Sequence, residues 1–283
     1  MSQYKAARDL KGKVVVVTGG SMGIGEAIAK EFVDAGASVV LSSRDVKRSE
    51  EARSRIGRVE RTLAVACDVR KRGDLEALLK ATLERFGRVD VWVNNAGYGL
   101  LDAVATMDVA ECRRLFDTNL FGTIEGMQVA TPAMKAQGSG TIINISSVAG
   151  HIPVPYMAAY AATKHAMNAI GKAAGVELRG TGVNVMTVCP GYIGTNFGDN
   201  TVQGKERKRM NTAASAGATA EEVARAVLHG YLKRKREVFV PWKYGLAVWL
   251  YRFFPGLVES QMAKRLRPAD EVYAAAAAAR KKV

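Results

Sequence analysis

The run Lys13-Val14-Val15-Val16-Val17-Thr18-Gly19-Gly20-Ser21-Met22-Gly23-Ile24-Gly25 decides how the chain is read. Lys13–Val17 is a short β-branched stretch, as strands are. It ends in Thr18 and a cluster of glycines. Apolar residues then recur at helical spacing, Ile24, Ala27, Ile28 and Phe32, as far as Gly36, and a second apolar run follows at Ser38–Leu41. Strand, glycine turn, helix and strand in that order predict a βαβ unit. Gly19 can take a turn conformation closed to other residues. Gly23 and Gly25 have no side chains, so the backbone can approach a pyrophosphate, and the N–H groups and dipole at the helix start favour an anion. Gly19, Ser21, Gly23, Ile24 and Gly25 are therefore candidate cofactor contacts. The spacing is GxxxGxG, not the GxGxxG of the general dinucleotide fingerprint.

Outward from this unit the alternation continues. Strands are expected at Leu63–Ala66, Val89–Val93, Thr141–Ile145, Val183–Val188 and Glu237–Val240. Helices are expected at Gly73–Phe86, Val109–Lys135, Ala158–Leu178 and Thr219–Leu232, the last opened by a Thr219/Glu222 capping box. Several strands are continuous apolar runs, as in strands covered on both faces. The expected fold is α/β: a doubly wound, mostly parallel sheet with helices on both faces. Residues 1–241 read as one catalytic and dinucleotide-binding domain, and 242–283 as a basic, aromatic extension ending in a disordered tail.

Of the 283 residues, 48% are apolar, enough for a sizeable core. Cys67, Cys112 and Cys189 stand far apart, with no metal-ligand spacing, which fits a reducing cytoplasm. Neither a secretory h-region nor an eighteen-residue apolar run is present. The formal charge of +14 suits acidic partners. From Gly230 onward twelve Lys/Arg face four Asp/Glu, so +8 of that charge lies in the last fifth. Charge alone would allow nucleic-acid binding, but no motif supports it.

The second strand ends Leu41-Ser42-Ser43-Arg44. A carboxylate here would hold the ribose hydroxyls of NAD. Ser43 and Arg44 offer a hydroxyl and a guanidinium instead, which suits the 2′-phosphate of NADP. Three further segments fit one chemistry: Asn94-Asn95-Ala96-Gly97 after the fourth strand, Ser146-Ser147 after the fifth, and Tyr160-xxx-Lys164 on the next helix. Tyr160 and Lys164 are four apart, hence on one helical face. An ammonium and a nicotinamide cation would favour the phenolate and lower the phenol's pKa. A serine hydroxyl can hold the substrate oxygen.

Taken together and in order, these motifs resemble the short-chain dehydrogenase/reductase family over roughly residues 10–240. The carried segments are Thr18–Gly25, Asp68-Val69, Asn94–Gly97, Asn119, Ser147, Tyr160-xxx-Lys164 and Pro190-Gly191-Tyr192-Ile193-Gly194-Thr195. The resemblance implies a general acid and base in Tyr160, and in Lys164 a group that bonds the nicotinamide ribose and tunes the phenol. Ser147, with Ser146 as its rival, would hold the substrate oxygen, and Asn119 a water of the proton relay. Asp68 and Val69 would contact adenine, and Asn95, Ala96 and Gly97 would line the cofactor. Pro190, Gly191, Ile193 and Thr195 would hold the carboxamide. Many NADP-using members carry a basic residue before the second glycine of the loop; Met22 stands there, so the NADP reading rests on Ser43 and Arg44.

In this family the stretch after Pro190-Gly191 forms a lid, here about Thr195–Gly217 with Lys205, Arg207, Lys208 and Arg209. Tyr98, Leu100, Leu101, Tyr156, Met157, Tyr192 and Phe197 are the expected apolar pocket. They suggest a lipid- or steroid-like ketone or alcohol, with a 3-oxoacyl carrier or CoA ester as the alternative. A non-catalytic cofactor-binding protein is the reading from another class, and a homo-oligomer is expected. Two readings of the aromatic stretch Trp242–Leu257 stay open. It packs over the site or at an interface, or it lies peripherally on an anionic membrane.

Overall fold

The computed structural model describes residues 9–193, 201–204 and 217–265. Strands β1 (Val14–Thr18), β2 (Ser38–Ser43), β3 (Thr62–Ala66), β4 (Val91–Asn94), β6 (Gly140–Ile145), β7 (Val183–Pro190) and β9 (Glu237–Val240) form one sheet. Its order is β3-β2-β1-β4-β6-β7-β9, and every pairing is parallel. The order reverses between β1 and β4. The crevice beyond the carboxyl ends of those two strands is where open α/β sheets bind ligands.

Both faces of the sheet are covered. Val15 and Val17 of β1 point into one core with Ile28 and Phe32 of α1 (Gly23–Asp34) and Val223 and Val227 of α7 (Ala220–Leu232). Val16 points into the other, with Leu75 and Leu78 of α3 (Arg72–Phe86) and Met127 and Met134 of α5 (Gly122–Ala136). Successive residues of a strand face opposite ways, so burial on both sides needs an unbroken apolar run. The four valines supply it. The Thr219/Glu222 box closes in both directions and caps α7 as expected.

Three elements differ from the sequence reading. Helix α2 (Val46–Ile56) was not expected, because it is charged and buries only Ser49, Ala52 and Ile56. Asp45 caps its start by accepting from the Lys47 N–H, and Gly57 ends it at φ 74°. The helix expected over Val109–Lys135 is two, α4 (Val109–Phe116) and α5, joined by a π-helical turn at Asp117–Phe121. A small second sheet pairs β5 (Leu100–Leu101) with β8 (Val202–Gln203) beside the pocket. After α6 (Ala158–Glu177) and β9 come α8 (Lys243–Phe253) and α9 (Pro255–Arg265). Among the described residues no helix is long and apolar enough to cross a membrane.

Candidate active site

The glycine loop sits against the end of β4. Thr18 donates its hydroxyl to the Val93 carbonyl and accepts from the N–H groups of Asn95 and Ala96. The Asn95 amide nitrogen donates to the carbonyls of Thr18 and Gly19, at 3.0 and 2.9 Å. Asn95 thus works as a brace that fixes the loop. Gly19 holds φ 63°, in the left-handed region that favours glycine. A Cβ on Gly25 would collide with the Gly19 carbonyl and the Asn95 amide, so at Gly25 the loop, the helix and the end of β4 pack in close contact. Ser21 is buried, whereas Gly23 and Ile24 are half-buried at the helix start. Met22, the N-cap of α1, adds no side-chain cap to that first turn, where backbone N–H groups and the dipole favour a phosphate. These features fit a dinucleotide.

At the end of β2 the Ser43 hydroxyl donates to the Asp45 carbonyl and meets the Ser49 hydroxyl, so it is turned into the adjoining turn. Arg44 is exposed. Asp68 is held by Arg70 through an ion pair of 2.5 Å, and that guanidinium bond keeps its carboxyl below the usual range against the opposing effect of burial. Val69 is buried against Gly122, where a Cβ would meet its methyl group. Val69 therefore contributes packing between the end of β3 and the start of α5. Two cations that sequence reasoning passed over stand here. Arg70 pairs with Asp68, and Arg55 of α2 reaches the Ser21 carbonyl at 3.3 Å while pairing with Glu26.

The catalytic candidates converge where β6 meets α6. Tyr160 and Lys164 lie one turn apart on α6, both buried, with the ammonium 5.6 Å from the centre of the phenol ring. The Lys164 ammonium donates to the Ile145 carbonyl at 2.8 Å. The Ser147 hydroxyl donates to the Pro190 carbonyl, accepts from the Ala149 N–H, and bonds the Tyr160 phenol. The rival Ser146 is buried, with its hydroxyl donating to the Lys164 carbonyl at 3.4 Å. Of the two serines, Ser147 is the one bonded to the phenol. The phenol is pushed up to about 12, burial being the main cause and the Ser147 bond acting against it. Burial likewise pushes the Lys164 ammonium down to about 8. The depression expected for the phenol is not what the protein groups produce by themselves, because desolvation disfavours the charged form of each.

Asn119 is fully buried in the π-helical turn. Its side-chain oxygen accepts from the Tyr98 N–H and its nitrogen donates to the Tyr98 carbonyl. It therefore holds the segment after Gly97, where a Cβ would stand 3.0 Å from the Asn119 oxygen. Tyr98, Leu100 and Met157 gather around Tyr160 as the pocket reading expected. Tyr156, just before α6, holds φ 63°, an uncommon conformation for a bulky residue, and its carbonyl accepts from the Asp102 N–H. Beyond Pro190, the Gly191 N–H donates to the Val240 carbonyl and Ile193 bridges to Ala218. Thr195, Phe197 and the basic residues 205–209 lie outside the described residues.

The model of the family described as short chain dehydrogenase matches residues 13–206. The chain belongs to the short-chain dehydrogenase/reductase family. It is 35% identical over 278 residues to the mouse dehydrogenase/reductase SDR family member 7B, covering 94% of this chain and 85% of that one. It is 38% identical over 209 residues to an uncharacterized oxidoreductase of Staphylococcus epidermidis, covering 74% and 90%. Among solved structures, it is similar to a Burkholderia phymatum family member in complex with NAD (TM-score 0.78, 25% identity, 88% and 96% covered). It is also similar to the 3-ketoacyl-(acyl-carrier-protein) reductase of Brucella melitensis complexed with NADH (TM-score 0.73, 29% identity, 82% and 97% covered). The chain is thus an oxidoreductase of a family that uses NAD(P).

A further cluster borders the family site. His151, four residues after Ser147, sets its Nε2 3.1 Å from Glu237 and 3.5 Å from the Cys189 sulfur. Lys172 pairs with the same Glu237 oxygen at 3.3 Å. The His151 bond holds the Glu237 carboxyl below its usual range, although burial opposes it. These contacts brace the Ser147 turn against β7 and β9. The residues lie too far apart in sequence for spacing to have shown them.

Proposed function

We propose that the protein is an NADP(H)-dependent oxidoreductase that interconverts a carbonyl and a secondary alcohol on an apolar, lipid- or steroid-like substrate. The observation that carries the reading is the convergence of Ser147, Tyr160 and Lys164 beside the braced glycine loop. Bound nicotinamide supplies the hydride and, when oxidised, a positive charge near the phenol. The chain's own groups do the rest. The Ser147 hydroxyl holds the substrate oxygen, and Tyr160 delivers the proton to that oxygen in reduction and takes it in oxidation. Lys164, fixed by the Ile145 carbonyl with its ammonium beside the phenol ring, would bond the nicotinamide ribose. The apolar shell of Tyr98, Leu100 and Met157 excludes water and favours an apolar substrate.

The preference for NADP is supported by Arg44, the exposed guanidinium at the end of β2. Arg55 and Arg70 stand nearby but are balanced by Glu26 and Asp68, so Arg44 carries the reading. The likeness to the Brucella reductase favours a 3-oxoacyl carrier ester as the second reading. The test is Tyr160→Phe assayed with NADPH against a panel of ketones that includes both classes. Turnover should fall about 10²–10⁴-fold while NADPH still quenches protein fluorescence. A near-native rate would overturn the assignment of the proton donor.

A further inference from the structure

Helix α8 carries no acidic residue, and none of its residues is fully buried. Trp242 is 80% exposed, and Leu246, Trp249, Phe253, Phe254 and Leu257 are each more than half exposed. Trp242, Leu246, Trp249 and Phe253 recur at steps of four, three and four. At about 100° per residue they fall within roughly 60° of one another, on one line along the helix. Tyr244, opposite the stripe, and Gly245, beside it, hold the helix to the domain: a Cβ on Gly191 would run into the Tyr244 ring, and one on Gly245 would stand 3.2 Å from the Phe239 ring. The Tyr251 hydroxyl donates to Glu259 at 2.9 Å and ties α8 to α9. The stripe therefore faces outward on a fixed element, at the same end of the sheet as the site. With about 150–250 Å² per exposed ring, it presents on the order of 700 Å² of apolar surface, more than the few hundred Å² usual on a monomer.

The charge around the stripe identifies what covers it. The exposed Lys243 and Arg252 stand roughly 80–100° to either side of the apolar line, where their stems can run along the surface and lift their charges beyond it. From Val238 to Val258 the sequence contains no Asp or Glu. The whole chain carries +14, which opposes pairing of two such faces and favours a negative surface. Aromatic rings and leucines between flanking cations match the headgroup zone of an anionic bilayer.

We propose that the outer face of α8, with the turn into α9, is a docking surface for an anionic lipid bilayer on which the helix lies flat. The site reading plays no part in this, and substrate is not needed to test it. The full chain is mixed with phosphatidylcholine vesicles with and without phosphatidylserine, and flotation and tryptophan emission are recorded at low and high salt. Trp92 is wholly buried, so Trp242 and Trp249 report the surface. The expected result is flotation and a blue shift with phosphatidylserine, reversed by salt. Trp249→Glu with Phe253→Glu should lower partitioning about tenfold or more per ring while cofactor binding is kept. Lys243→Glu with Arg252→Glu should remove the dependence on phosphatidylserine. Absence of flotation at low salt overturns the proposal, and so does flotation that the double aromatic variant leaves unchanged. Emission already blue-shifted without vesicles, with a smaller particle for the aromatic variant, would assign the face to a second copy instead.

Discussion

Asn95→Ala isolates the brace from the chemistry. The wild-type amide donates to two carbonyls, those of Thr18 and Gly19, at 3.0 and 2.9 Å. Each such bond is worth about 1 kcal/mol net, so the two together are worth roughly 2 kcal/mol. The Thr18 hydroxyl still accepts from the backbone N–H groups of residues 95 and 96, so the substitution loosens the loop without melting it. If cofactor binding must restore the order that Asn95 supplied, dinucleotide affinity falls by about tenfold to thirtyfold, since 1.4 kcal/mol is a factor of ten. The rate at saturating cofactor should change little, because Asn95 touches neither Tyr160 nor Ser147. Asn95→Asp should be worse than alanine, since it sets a carboxylate oxygen against two carbonyls. The assay is a fluorescence titration with NADPH and NADH, alongside a thermal melt and kcat at saturation. Unchanged dinucleotide affinity with a lowered Tm would refute the reasoning, because the loop geometry would then not depend on the brace.

Other expectations follow from contacts far from and near the loop. Asp90 is buried at the opposite end of the sheet from the site, where burial works against its charge but Arg88, Lys13 and the Val14 N–H more than offset this and lower its pKa. A depressed folded value gives stability that is present above the unfolded carboxylate pKa and lost as pH falls through the folded one. Asp90→Asn should therefore cost about 2 kcal/mol at neutral pH, with the gap to wild type closing below about pH 4 in urea melts. A gap that persists unchanged into acid would point to packing instead of charge. Arg44→Ala combined with Ser43→Asp should shift the NADP/NAD ratio of kcat/KM toward NAD by about tenfold or more, and a fixed ratio would show that neither residue reads the phosphate.

Much of the fold was legible because its strands declare themselves. Continuous runs such as Val14–Val17 can only be buried on both faces, and that run leads through the glycine turn into a helix with apolar spacing. Helix α2 escaped because its buried stripe is one serine, one alanine and one isoleucine on a charged cylinder, although Asp45 and Gly57 marked its ends. β5 and β8 escaped because two-residue strands carry no periodicity and pair across a hundred positions. The roles at the site divided the same way. The Tyr160–Lys164 pairing was readable from helical spacing, whereas the preference for Ser147 over Ser146 came from the family resemblance; in the fold it is Ser147 that meets the phenol. Arg55, Arg70 and the His151–Glu237–Cys189 cluster were not readable, since each reaches its place through the tertiary fold. Burial outweighs what the protein groups alone do to lower the Tyr160 phenol, and the nicotinamide charge on which the expectation also rests belongs to the loaded site.

The wide turn at Asp117–Phe121 has a consequence for how the chain can change. The Gly122 N–H reaches back five residues to the Asp117 carbonyl, so the segment carries one residue more than a regular helix would. An extra residue taken up in one wide turn leaves the helix on either side nearly in the register it would have without it, so Leu115 of α4 and Met127, Ala130 and Met134 of α5 all keep their apolar berths. What the widened turn changes is local: it carries Asn119, whose side chain holds both backbone groups of Tyr98. Removing one residue would let 109–136 wind as one regular helix with its two packed ends in place, at the expense of that grip. The irregularity is thus a local insertion that serves one side chain, and the length of the segment is set by Asn119 and not by the core.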